Sequence, residues 1–171
     1  MKKTNQLLGE YGTTIFTTMS ALSTEFNAIN LGQGFPDVNG PDDILEEAVR
    51  AIKYESNQYP SMMGIKELRE ATAQHSKSFY DIDIDWESQT IITAGATEAI
   101  ASSLFGLINP GDEVIMIEPL YDCYLPLVRR AGGIPKLIRI DPPNWQLPYE
   151  KLEAIFSPKT KLIILNSPTN P

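Results

Sequence analysis

Apolar positions along this chain follow two alternating rhythms. Ile44, Leu45, Ala48, Val49 and Ile52 fall at helical spacing, with Asp42 or Asp43 standing where an N-cap belongs. A second helix is expected from about Ile65 to Tyr80, with Ile65, Leu68, Ala71 and Thr72 on one face. From Trp86 onward the rhythm changes. Thr90-Ile91-Ile92-Thr93 is β-branched and reads as a short strand, and Glu113 to Ile117, Ile134 to Ile140 and Lys161 to Asn166 read as three more. Between them Glu98 to Ile108, Tyr121 to Ala131 and Pro148 to Phe156 read as helices, and Asn109-Pro110-Gly111 and Gly132-Gly133 end the first two. Pro135 within the third strand suits an edge position or a strand start. Residues 1–30 read as a mixed arm rich in Thr, Ser and Asn, and the Gly and Pro residues between 31 and 41 mark turns.

Short strands alternating with helices imply βαβ units, hence an α/β fold with a mostly parallel sheet. Ligands of such sheets bind at the carboxyl ends of the strands. Three loops are singled out on that ground: Ala94–Thr97, Glu118–Tyr121 and Ser167–Pro171.

Composition narrows the function classes. The 171 residues are 42% hydrophobic and 21% charged, an ordinary globular balance, and the net charge is −8. So acidic a chain is a poor general binder of nucleic-acid backbones, and Arg129-Arg130 is the longest basic run, a solvated helix face. One cysteine, Cys123, and one histidine, His75, leave no Cys/His zinc cluster, so no metal site is expected. A reducing, cytoplasmic setting follows from the cysteine usage. No apolar run reaches the roughly 18 residues a bilayer-spanning helix needs, and no membrane partner is expected.

Thr93-Ala94-Gly95-Ala96-Thr97-Glu98-Ala99 stands between a strand and a helix. Small residues let backbone N–H groups approach a ligand, the helix N-terminus adds partial positive charge, and Thr97 adds a hydroxyl, a set suited to a phosphate. The same residues also make a plain turn with Thr97 as N-cap. No Gly-Lys-Ser/Thr follows, so it is not a nucleotide P-loop, and Gly-x-Gly-x-x-Gly is absent. Tyr121, at a strand end, is placed either to lie flat on a planar ring or to serve as a rim aromatic. Cys123 reads as a small buried residue rather than a nucleophile, since no basic cluster lies near it in sequence, and His75 receives no role. Asn166-Ser167-Pro168-Thr169-Asn170-Pro171 frames two asparagines with prolines, which stiffen the loop and hold its amides.

Taken in order, Leu31-Gly32-Gln33-Gly34-Phe35-Pro36-Asp37, Asn57-Gln58-Tyr59, Thr93–Ala99, Asn109-Pro110-Gly111-Asp112-Glu113-Val114, Glu118-Pro119-Leu120-Tyr121-Asp122-Cys123-Tyr124 and Asn166–Pro171 resemble one family. The chain is similar to the N-terminal portion of a class I/II aminotransferase, a fold-type I enzyme dependent on pyridoxal 5′-phosphate. The first and fifth motifs look nearest to the branch of kynurenine–oxoglutarate and methionine aminotransferases. The resemblance implies a three-layer αβα large domain, here cut in mid-domain, with residues 1–40 as an N-terminal arm and small-domain segment and 41–171 as an incomplete cofactor-binding domain. It implies that Gly95, Ala96 and Thr97 cradle the cofactor phosphate, that Tyr121 stacks on the pyridine ring, and that Asn170 donates to the phenolic oxygen near the substrate carboxylate. It further implies that Gly34 meets the substrate with its backbone and that Tyr59 reaches a neighbour's phosphate across a homodimer interface. The substrates implied are an amino acid and a 2-oxo acid.

One departure from the family is visible. The family's Schiff-base lysine sits in a Ser-x-x-Lys setting, and none of Lys2, Lys3, Lys53, Lys66, Lys77, Lys136, Lys151, Lys159 or Lys161 does. That lysine, the aspartate beside the pyridine nitrogen and the arginine that clamps the substrate are expected beyond residue 171. The 171-residue chain alone is therefore expected to lack transaminase activity. It is also expected to be poorly soluble, because an open sheet edge favours aggregation. A cysteine-S-conjugate β-lyase on the same fold, or a non-catalytic pseudoenzyme or dimer partner, fits the same residues.

Overall fold

The computed structural model describes residues 5–32, 34, 36 and 38–170. They fall into two units, residues 34–99 and the remainder.

In the unit formed by residues up to 33 and from 100 onward, three parallel strands form a sheet in the order β2-β1-β3: β1 is Glu113–Glu118, β2 Ile134–Arg139 and β3 Thr160–Ile164. Central β1 explains its own sequence. Val114, Ile115 and Met116 are all fully buried, so it reads as an unbroken apolar run rather than an alternating one. Val114 and Met116 pack with Leu104 of helix α5 (Ala96–Leu107), Ile108 just after it, and Val128 of α6 (Tyr124–Arg130). Pro135 lies on β2, an edge strand as its sequence requires, opposite Val114. Helix α7 (Tyr149–Ile155) precedes β3, which is half-buried along most of its length.

A side-chain tie joins the amino ends of these strands. Ser157 Oγ donates to the Glu113 carboxylate at 2.7 Å, and Lys136 Nζ lies 3.2 Å from it. The Ser157 hydroxyl, with Lys136, holds the Glu113 carboxyl below the usual range.

Residues 5–30 hold more order than their composition suggests. A 3-10 turn, Leu8–Glu10, precedes helix α1 (Ile15–Glu25). Thr14 caps α1 by accepting the Thr17 N–H at 3.3 Å, and Thr18 and Thr24 hydroxyls bond back to carbonyls one turn earlier. Those local bonds accommodate a Thr/Ser-rich segment in a helix. Arg129, exposed on α6, donates to the Tyr11 hydroxyl at 3.2 Å.

The unit of residues 34–99 contains α2 (Asp42–Tyr54), α3 (Lys66–Tyr80), the short α4 (Trp86–Gln89) and the first turn of α5. Asp42 and Asp43 lie inside the first turn of α2, after Pro41, where their charge suits the helix dipole. The strand expected at Thr90–Thr93 is corrected. Thr90 is extended (φ −128°, ψ 128°), but the segment has no ladder partner among the described residues. β-branched residues fixed an extended backbone, and a strand also needs a neighbour. Its bonds go elsewhere: Ile92 N–H donates to Met63 O at 3.0 Å, and Thr90 O accepts from Arg69 Nε at 3.0 Å. Among the described residues no helix is long and apolar enough to cross a membrane.

Candidate functional site

Gly95 sets the turn that opens α5. Its φ of +90° lies in the left-handed region, and a Cβ there would meet nothing within 4 Å. Gly95 N–H donates to Thr93 O at 2.8 Å and Thr93 Oγ1 donates to Gly95 O at 3.0 Å, closing the turn on both sides. The Glu98 carboxylate accepts the Ala94 N–H. Ala99 N–H reaches back to Gly95 O at 3.4 Å, so the N–H groups of Ala96, Thr97 and Glu98 precede the first intrahelical bond. Gly95, Ala96 and Thr97 are exposed. Thr97 is the second residue of the helix rather than its cap.

Gly34 and Tyr59 belong to the same unit. Gly34 is exposed with nothing near its Cα substituent position, and Tyr59 is 99% exposed. Gln33, Phe35 and Asp37 of the first motif lie outside the described residues.

Tyr121 and Asn170 belong to the sheet-bearing unit, after β1 and β3. Tyr121 is half-buried, its ring centroid 6.4 Å from Phe16 at a 37° tilt and 5.8 Å from Tyr124 edge-on. Burial, with Cys123 and Tyr121 beside it, pushes the Tyr124 hydroxyl up. Asn170 is exposed. In the amide orientation that satisfies both groups, Asn166 accepts the Asn170 N–H at 3.0 Å and donates to Pro168 O at 3.2 Å, so the proline-framed loop is tied to itself.

The loops after β1 and β3 meet around one cavity of about 710 Å³. Leu120 and Tyr124 line it from one loop, Asn166 and Thr169 from the other, and Trp145 and Leu147 from the β2–α7 connection. Tyr121 and Asn170 adjoin lining residues without lining it themselves. Trp145 and Leu147 were not visible as site residues in sequence. The one cue is a lone tryptophan after Pro142-Pro143, in the connection that follows a strand's carboxyl end. Among the described residues no lysine lines the cavity. Cys123 is half-buried and His75 is exposed, stacked on Phe79 at 4.5 Å.

These residues can do two things chemically. The α5 end offers backbone N–H donors and a hydroxyl to an anion, and the cavity offers apolar and aromatic walls with amide groups at one rim. The first suits a phosphate group and the second a flat apolar ring, each within its own unit.

Comparison with known proteins bears on the same stretch. The model of the family described as aminotransferase class I and II matches residues 27–171. A methionine aminotransferase of Escherichia coli (strain K12) is 43% identical over 164 residues, covering 96% of this chain and 42% of the relative. Kynurenine–oxoglutarate transaminase 3 of Homo sapiens is 36% identical over 168 residues, covering 92% and 37%. A crystal structure from Escherichia coli, described as having a methionine aminotransferase function, superposes with a TM-score of 0.94 at 42% identity over all of this chain and 45% of that one. The chain thus spans less than half the length of the curated relatives it matches.

Proposed function

The chain belongs to the class I and II aminotransferases, and we propose that it supplies the phosphate cradle, the aromatic wall and an amide of a pyridoxal 5′-phosphate site in an enzyme that moves an amino group from an amino acid to a 2-oxo acid. One observation carries this: α5 opens on Gly95 at φ +90°, with Ala96 and Thr97 exposed and their N–H groups ahead of the first helical bond. The cofactor, when bound, supplies an electron sink for charge developing at the amino acid's Cα.

The chain's own residues do the holding. Gly95, Ala96 and Thr97 bind the phosphate dianion, where the helix dipole and charge-assisted bonds favour it. Tyr121 covers one face of the ring and keeps water from it. The Asn170 amide donates to the ring oxygen, and the Gly34 backbone meets the substrate. Tyr59 reaches a second subunit's phosphate, so the working enzyme is a homodimer. Residues 1–40 serve as arm and small-domain segment and 41–171 as part of the cofactor domain, in a cytoplasmic enzyme.

The test uses 4-deoxypyridoxine 5′-phosphate, which lacks the aldehyde and cannot form adducts with lysines. Calorimetry on the 171-residue chain is expected to show saturable binding that inorganic phosphate competes away. Thr97→Val removes one bond to a charged group and is expected to weaken it roughly tenfold or more. Binding indifferent to phosphate and to Thr97→Val would refute the assignment.

A further inference from the structure

We propose, resting on the phosphate-cradle reading above, that Arg69 is a positioning residue for that cradle, setting the path of the segment that delivers Gly95, Ala96 and Thr97. Arg69 sits in the first turn of α3 and is only 8% exposed. Its Nε donates to Thr90 O at 3.0 Å and its Nη2 to Glu87 O at 2.5 Å. The guanidinium carbon lies 5.2 Å from the centre of the Trp86 ring. Among the described residues Arg69 makes no ion pair with a carboxylate, although the Asp85 carboxylate feels its charge.

A buried cation is costly unless its donors are satisfied. Here two carbonyls of one segment and an aromatic face satisfy it, so the guanidinium and the backbone at 87–90 fix each other. Arginine suits this where lysine would not. Its planar fork reaches both carbonyls at once with the guanidinium carbon over the indole, whereas an ammonium is a single point.

Thr90–Thr93 has no ladder partner among the described residues, so side chains and turns must hold it. Arg69 pins Thr90. Met63 O, accepting the Ile92 N–H, pins the segment two residues later. Thr93 then closes the Gly95 turn with its hydroxyl and its carbonyl. Without the Arg69 fork, the cradle residues would have to be ordered as the anion binds, and that ordering weakens affinity.

The experiment is an inorganic-phosphate titration of the ¹⁵N-labelled 171-residue chain, following the Ala96, Thr97 and Glu98 amides, with hydrogen exchange over residues 86–98 measured without ligand. Arg69→Met is expected to weaken phosphate about tenfold and to speed exchange over 90–98. Arg69→Lys keeps the charge with a single reach and is expected to fall between, about threefold weaker, with the circular dichroism spectrum unchanged. Lys66→Met removes the other cation near Trp86, whose Nζ lies 5.4 Å from the ring centre, and is expected to match the parent chain. Phosphate that leaves all three amides unmoved in the parent chain would sink the cradle itself, and the role of Arg69 with it. Amides that respond in the parent and equally in Arg69→Lys, with unchanged exchange, would overturn Arg69 alone and leave the cradle standing. Should Arg69→Met lose its fold, the Arg69→Lys comparison decides.

Discussion

Replacing Gly64 by alanine separates two physical costs that coincide at one position. Gly64 has φ +98°, and a Cβ built there would lie 2.6 Å from both Cβ and Cγ1 of Ile92. Gly95 has nearly the same φ, +90°, with open space where its Cβ would go. Gly95→Ala therefore carries conformational strain alone, about 1–2 kcal/mol. Gly64→Ala carries the same strain plus overpacking against a β-branched side chain that has no flexible end to yield, about 1–3 kcal/mol more. Gly40→Ala, with nothing within 4 Å and no positive φ, is the control and should change stability by less than about 0.5 kcal/mol. Urea unfolding of the three variants, followed by circular dichroism, gives the differences from the midpoints if the slope is unchanged. The order Gly64→Ala well below Gly95→Ala, and Gly95→Ala below Gly40→Ala, is expected. Equal losses in Gly64→Ala and Gly95→Ala would mean that the close approach to Ile92 has no energetic weight, and the account of how this segment is held would fail.

Met116, fully buried beside Leu104 and Val128, is expected to cost about 2–5 kcal/mol as Met116→Ala in the same urea assay. Glu113 is held charged by Ser157 and Lys136, so its folded carboxyl titrates below its ordinary value of 4.5. The stability it contributes is full above that pH and is lost as pH falls below it through the folded value; Glu113→Gln should flatten the fall in thermal midpoint over that acid range, and an unchanged slope would count against the tie. Because no lysine of the 171 residues stands in a Ser-x-x-Lys setting, the 171-residue chain mixed with pyridoxal phosphate and excess amino acid should form no pyridoxamine phosphate in a single turnover. Robust conversion would overturn that expectation.

Much of the fold was legible because its signals are local. The run at 113–117 announced a strand, Pro135 an edge or a strand start, and Gly132-Gly133 the end of α6. What failed to show depends on partners distant in sequence or on bonds that composition hides. Thr90–Thr93 has the residues of a strand and lacks, among the described residues, the neighbour that would make it one. Helix α1 carries Ile15, Met19 and Leu22 at helical spacing, yet threonines and serines, which bond to their own backbone, masked it. The turn at Gly95–Thr97 was readable because small residues between an extended segment and a helix mark a helix start. Trp145 was not, because only folding brings the β2–α7 connection beside the loops after β1 and β3.

Among the described residues, the contacts that shape the Gly95 turn come from residues 63–99. Met63 and Gly64 meet Ile92, Arg69 holds Glu87 and Thr90, Thr93 closes on Gly95, and Glu98 takes the Ala94 N–H. None of these bonds is borrowed from the three-stranded sheet. A parallel strand ordinarily gets its position from its ladder, and the loop at its tip inherits that position. Here a buried guanidinium and a glycine approach hold one extended segment that has no ladder neighbour among the described residues. It follows that weakening the β1 core by Met116→Ala should leave hydrogen exchange over 90–98 unchanged under conditions where the chain remains folded, whereas Arg69→Met should speed it with the sheet intact. Matched losses of protection in both variants would show that the turn depends on the sheet after all.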